Sequence, residues 1–258
     1  MKRHILGFFL VMGIVVGTAS VCRATDVSGT ISTNTTWNTA NSPYVVTNNI
    51  TVAEGATLTI APGVVVQFND NRGLWVNGTL SAIGTAGKPI TFTGTTEAPD
   101  WWRVISVQNT GSAAFDWCDI GYGGYYDNAG IFKTGTGSLT LKNSTVHHHT
   151  GDGLRIAAGY SAFVSSGNTF SNNNYGVRVG INTSFEDNTS DFEDNNVDVF
   201  VDGGTITGDT VWHLKRDHSV YVIGNIIVAE GGSLTVKAGT VVKPGDNIGF
   251  WIEGILTV

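Results

Sequence analysis

The sequence has little of what would hold a small exported domain together covalently or draw it to nucleic acid. It contains two cysteines, Cys22 and Cys118, and the first lies in a stretch that reads as a leader. A chain left with one cysteine forms no internal disulfide, so packing and hydrogen bonds must supply its stability. Cations are also scarce. Of 14 Lys and Arg, set against 21 Asp and Glu, Lys2, Arg3 and Arg23 fall in the first 24 residues, which leaves the remainder a net charge of about −10. That charge is spread without blocks, and such a surface suits neither nucleic acid nor an anionic membrane.

Helix-forming windows are missing too. Beyond the leader no segment joins a 3.6-residue apolar period to a composition rich in Ala, Leu, Glu and Lys. The longest apolar run, Ile5 to Ala19, is short of the roughly 18 to 20 residues that cross a bilayer, so no membrane span is expected. Lys2 and Arg3 precede this run and Cys22-Arg23-Ala24 follows it with small residues at −3 and −1 of a cleavage site. Residues 1–24 are therefore expected to be a signal peptide, and the protein to be secreted or displayed at the cell surface. Val21 stands where a lipobox needs Gly, Ala or Ser, so a lipid anchor is not expected.

What is abundant is turn and strand chemistry: 34 Gly, many Asn and Thr, and only 14% charged residues, the composition of an all-β chain rich in turns. Residues 50–82 align with 226–258 at a constant offset of 176 without a gap, and 16 of the 33 positions are identical. Glu54/Glu230, Asp70/Asp246 and Trp75/Trp251 all fall in register, so the chain repeats internally. Trp37 and Trp212 extend the match weakly upstream with a difference of one residue.

A finer beat runs inside that unit. Short alternating segments such as 58–60, 64–68 and 74–76 are separated by Gly, Asn, Asp or Pro. Val146, Phe170 and Phe192 form one series with steps of 24 and 22; Ile131, Leu154, Val177 and Val199 form another with steps of 23, 23 and 22. Two series with one period predict a coil of stacked rungs, each rung supplying about three short strands that pair in parallel with those above and below. Alternation points Leu58, Ile60, Val64, Val66, Phe68, Leu74, Val76 and Leu80 inward, and Thr57, Thr59, Val65, Gln67, Trp75 and Asn77 outward. The competing β-sandwich predicts antiparallel hairpins with two-residue turns and no echo at 22 to 24 residues.

Residues 53–94, the Trp-bearing segment 98–107, Asp116 to Gly124 and Lys142 to Val146 resemble rungs of the right-handed parallel β-helix proteins of the pectate-lyase-like class, particularly secreted bacterial surface proteins. The resemblance implies an all-β, right-handed parallel β-helix, or solenoid, with rungs of about 22–24 residues. It specifies architecture more than activity, because members include polysaccharide lyases, glycoside hydrolases and non-catalytic adhesins. The expected organisation is a signal peptide at 1–24, one β-helix unit at 25–209, and the start of a second, truncated unit at 210–258. The chain is accordingly expected to be a fragment of a longer protein, able to associate end to end.

No acid/base or metal constellation of the catalytic members is readable, and Gly151-Asp152-Gly153 offers one carboxylate without a partner, so no catalytic residue is assigned. His147-His148-His149 is expected to be a solvent-facing polar corner, with His in place of the Asn at 172–174, and no metal is assigned. The carboxylates between Glu186 and Asp198 are expected to form a solvated acidic face, with weak calcium binding as the alternative. Cys118 is expected to pack as a small apolar residue. Exposed aromatics are the better clue, because a sugar ring stacks on a flat indole or phenol. Trp75, Trp101, Trp102, Tyr122, Tyr125 and Tyr126 are the candidate carbohydrate-binding residues. The functional expectation is a non-catalytic structural or adhesive scaffold binding polysaccharide or a cell-surface glycan; the alternative is a polysaccharide lyase or glycoside hydrolase of the pectate-lyase-like class.

Overall fold

A computed structural model describes residues 24–126, 128–157, 163–214 and 219–258. Apart from Ala24, the signal peptide expected at residues 1–24 lies outside the described residues. Strands of three to ten residues wind into a parallel β-solenoid of about nine turns. The 3₁₀ turn Thr39–Asn41 is the only helical element among the described residues, and no described helix is long and apolar enough to cross a membrane.

Three ladders form the walls. The first stacks Tyr44, Val66, Phe92, Ile120, Val146, Phe170 and Phe192 as successive inward residues. The second stacks Ile50, Leu74, Ile105, Ile131, Leu154, Val177 and Val199. The third runs through Leu58, Leu80, Ala113, Leu139 and Phe163, whose ring stacks on Phe185 at 5.9 Å and so hands the wall to Trp212 and Val236. Both series read from the sequence are thus single columns of the core. Each inward residue predicted between Leu58 and Leu80 is at most 1% exposed, and each predicted outward one is half-buried on the outer surface. A buried aliphatic side chain contributes roughly 1.5–3 kcal/mol, and one per wall per turn makes a continuous core one side chain deep.

Polar ladders close the corners. At the corner before the first wall, the Cys118 amide donates to Ser144 Oγ, the Ser144 amide to Asn168 Oδ1, and the Asn168 amide to Ser190 Oγ. These four side chains are buried, so each turn satisfies the turn amide of the one before it.

The coil changes phase near residue 200. Strand Val197–Ile206 pairs through Val199 with Val220, then bends at a bulge between Asp202 and Gly204 to pair Gly204 with Ile226 and Ile206 with Val228. The opening strand Thr25–Ile31 has the same bulge between Val27 and Gly29, followed by the same Gly-Thr-Ile triplet. By the sequence offset Val220 matches Tyr44 of the first wall, yet it stacks on the second. The first-wall strand of the repeated unit is therefore set on the second wall while its third-wall strand stays on the third, and among the described residues the first wall of the earlier turns stops at strand Asp191–Glu193.

Candidate functional site

The outer surface of the second wall carries aromatic rings and guanidinium groups on successive turns. Successive outward positions are Trp75, Ser106, Phe132, Arg155, Arg178 and Phe200. Arg103 covers the Trp75 ring at 5.4 Å, Arg155 lies over Phe132 at 5.1 Å and Arg178 over Phe200 at 5.1 Å, each a cation–π contact. Arg178 Nη2 also pairs with Asp202 Oδ1 at 2.8 Å. The Arg103 amide donates to the Arg72 carbonyl, so all four described arginines lie on or beside this one stripe of an otherwise acidic chain. Phe132, Arg155, Arg178 and Phe200 each follow by one residue the inward series Ile131, Leu154, Val177, Val199. The signal was present in the sequence, one position to the right.

Asp152 sits beneath this stripe with no exposed surface, and neither carboxylate oxygen has a hydrogen-bond partner. Arg155 Nε approaches Oδ2 at 3.8 Å. Burial pushes the carboxyl up to about 6, against the pull of Arg178 and Arg155 and with the help of Asp202. Lys133, also buried, lies in the inward column between Val107 and Ile156 and donates to the Gly135 carbonyl; burial lowers its pKa.

The aromatic candidates divide. Trp75 is outward and half-buried. Trp101 lies at the rim, its Nε1 donating to Thr95 Oγ1 at 3.1 Å. Tyr122 stacks on His148 at 5.2 Å and meets His147 edge-on at 5.4 Å. Tyr125 and Tyr126 are exposed and touch edge to face at 4.5 Å. Trp102 requires a correction: it has no exposed surface, stacks on Phe68 at 4.5 Å and donates Nε1 to the Gly121 carbonyl at 2.8 Å. A ring enclosed in the core has no face left for a sugar, so Trp102 is a packing residue. The stripe and the Tyr122 corner leave Trp75, Trp101, Tyr122, Tyr125 and Tyr126 accessible to differing degrees.

The histidine run also departs from expectation. His148 has φ +56, as do Asn172 at +55 and Asp194 at +53 on the next turns, and this left-handed residue turns its successor inward. His149 is consequently buried rather than solvent-facing. Its Nε2 meets the Ile120 carbonyl at 3.3 Å, the bond that Asn173 Nδ2 makes to Val146 and Asn195 Nδ2 makes to Phe170. His149 thus stands in for the asparagine of the corner ladder, as the sequence suggested, but on the inside. Its Nδ1 reaches the Gly123 carbonyl at 2.9 Å, and the ring fits only because residue 130 is glycine: a Cβ there would lie 2.3 Å from it. Burial holds the imidazole down to about 4. His147 binds Asp119 through Nε2 at 2.9 Å and faces His148 through Nδ1 at 2.8 Å. Among the described residues no group of three or more His, Cys, Asp and Glu is placed to hold a metal ion. Beside this corner is an open polar cleft of about 390 Å³, whose lining includes Pro99, His148, Asn172, Asn174, Asp194 and Asn196.

Two further expectations concern single residues. Asp187 is buried, not part of a solvated acidic face: it accepts from the Ser165 and Ser190 hydroxyls and from the Thr189 and Ser190 amides. The neighbouring Glu186, Asp191, Glu193 and Asp194 are exposed. Cys118 packs as an apolar residue at 3% exposure, and burial pushes its thiol up to about 12. In a chain starting at residue 25, an aromatic disulfide reagent at pH 8 should leave the native protein unmodified and titrate one thiol after denaturation. Rapid labelling of the native protein would contradict this packing.

No protein-family model matches the chain, and no solved structure matches it. Among curated proteins, the chain is similar to Protein bark beetle of Drosophila melanogaster, with 48% identity over 46 residues. That segment is 18% of this chain and 2% of the fly protein, so the likeness is local.

Proposed function

We propose that this protein is an exported, non-catalytic β-solenoid scaffold of the cell surface that binds polysaccharide along the outside of its second wall. The observation that carries the reading is the stripe itself, which places a half-buried ring or guanidinium on four of the five turns from Trp75 to Arg178 and ends on Phe200, a buried ring beneath Arg178. Turns in a parallel coil are spaced by about 4.8 Å, close to the length of one sugar unit, so a linear glycan lying along the axis meets one such group per residue. Indoles and phenols supply stacking area, and the guanidiniums, held flat by their own ring contacts, supply fixed donors. The signal peptide expected at residues 1–24 and the resemblance of the rungs to right-handed, pectate-lyase-like coils are in keeping with this reading.

The test is binding to a panel of neutral and acidic polysaccharides, with and without calcium, by the chain starting at residue 25. Trp75→Ala and Arg155→Ala should each weaken binding to the retained glycan about tenfold, the loss of roughly 1.4 kcal/mol of contact, with little change in melting temperature. Unchanged binding by both variants would remove the stripe as the site. Turnover abolished by a single carboxylate, Lys or Arg substitution would replace the scaffold with a polysaccharide lyase or glycoside hydrolase.

A further inference from the structure

Asp152 has no exposed surface and neither of its oxygens has a hydrogen-bond partner, an arrangement that favours the neutral acid. Cations oppose this. Arg155, on the same strand Asp152–Ile156, brings Nε to 3.8 Å from Oδ2, and Arg178, on the next turn Tyr175–Val179, attracts the same carboxylate. Asp202, on the turn after that, pairs with Arg178 and repels Asp152. The preceding turn brings no charge to this face, because Ala129 is the ladder partner of Asp152 and Phe132 that of Arg155, while Lys133 lies in the inward column. Tyr175, the partner of Asp152 on the following turn, sets its ring against Phe200 at 4.6 Å. At the corner just before Asp152, His149 is buried and its imidazole is held down to about 4. The charge of the stripe is thus set by one hidden proton. With Asp152 ionised, it and Asp202 balance Arg155 and Arg178; with Asp152 protonated, the same four groups carry one net positive charge, displayed on two half-buried guanidiniums.

We propose that Asp152 regulates the stripe, protonation of this buried carboxyl freeing Arg155 and Arg178 to hold the acidic groups of an anionic polysaccharide. The inference rests on the stripe being the glycan site. Arg155 and Arg178 are direct neighbours in one ladder, so two acidic groups of a single chain can be held at once. Burial places the titration of Asp152 at about 6, a range in which sulfate and uronate groups stay ionised, so the charge of the site changes while that of the ligand does not. The coupling runs both ways. A bound anion strengthens the hold of Asp152 on its proton by the same factor by which that proton strengthens the binding of the anion.

Calorimetric binding of dextran sulfate and of alginate without calcium, with unmodified dextran as the neutral counterpart, tests it on the chain starting at residue 25 between pH 7.5 and pH 5. The parent should bind at least one anionic chain about tenfold more tightly at pH 5, the effect of one elementary charge several ångströms away in partly screened surroundings. Near pH 6 that binding should take up part of a proton per site, read from buffers of different ionisation enthalpy. Asp152→Asn should bind about tenfold more tightly than the parent at pH 7.5, about equally at pH 5, and without that proton uptake. Acidification also charges other groups, and the difference between parent and variant removes their share. Melting temperature checks that the variant folds, and Asp152→Ser replaces it if it does not. Binding of dextran sulfate alone assigns sulfate as the acidic group, and binding of alginate alone assigns uronate. Equal affinity of parent and variant at pH 7.5, or retention of dextran in preference to both anionic chains, overturns the inference and leaves the stripe a glycan site. Binding that neither Trp75→Ala nor Arg155→Ala weakens, or no binding of any of the three, removes the site and the inference together.

Discussion

Trp102→Ala is expected to remove about 3–5 kcal/mol of unfolding free energy, the cost of emptying a large aromatic site in a close-packed core. The indole stacks on Phe68, approaches the edge of His149 at 6.4 Å and bonds the Gly121 carbonyl, so the variant loses packing and a buried hydrogen bond. A Cβ on Gly123 would lie 2.8 Å from the same ring, which shows how closely the turn is fitted to it. Urea denaturation measures the loss, and Trp75→Ala is the control, an outward ring whose removal should cost much less. Equal losses for the two variants would contradict the division of these tryptophans into a core residue and a surface one.

The second large effect is a pair of opposed pH dependences within one corner of the coil. His149 is held down to about 4 in the folded state, against an unfolded value near 6.5. As pH falls through 6.5 the unfolded chain therefore takes up a proton that the folded chain refuses, and stability drops by about 2 kcal/mol by pH 5 and about 3 below pH 4. Asp152, pushed up to about 6 from 3.8, acts in the other direction. The folded state binds its proton first, so acidification through pH 6 adds about 1 kcal/mol by pH 5 and about 3 below pH 3.8. The two shifts largely offset each other in the parent. His149→Asn, which keeps the corner bond that Asn173 and Asn195 make, should therefore gain stability relative to the parent on going from pH 7 to 5. Asp152→Asn should lose it. The difference between each variant and the parent isolates the group, because the remaining carboxylates titrate alike in both. Parallel stability-pH curves for parent and variants would show that neither group is desolvated as described.

The inner face of this fold was legible because its signal is periodic. Leu58 through Leu80 alternate cleanly, and Val146, Phe170 and Phe192 recur at the length of a turn, so composition and spacing place them without coordinates. Corners were not legible in the same way. His149 and Trp102 both follow a turn, where alternation along a strand no longer decides which way a side chain faces; for His149 the preceding residue has left-handed backbone geometry that reverses the alternation. The arginine stripe was not legible because single outward residues on separate turns are far apart in the chain and adjacent only after pairing. Asp187 was legible as a carboxylate but not as a buried one, since its partners Ser165, Thr189 and Ser190 identify themselves only once two turns are stacked.

The phase change near residue 200 has a directional consequence. Trp75 and Trp251 are the same residue of the repeated unit, yet Trp75 faces out from the second wall whereas Trp251 stacks on Ile227, in a ladder begun by residues 204–206. The junction thus moves the indole of the second unit to an azimuth different from that of the first. A stiff ligand lying straight along the axis would then engage the rings of one unit only, and avidity across units would be reserved for ligands able to wrap around the coil or for several strands held around it.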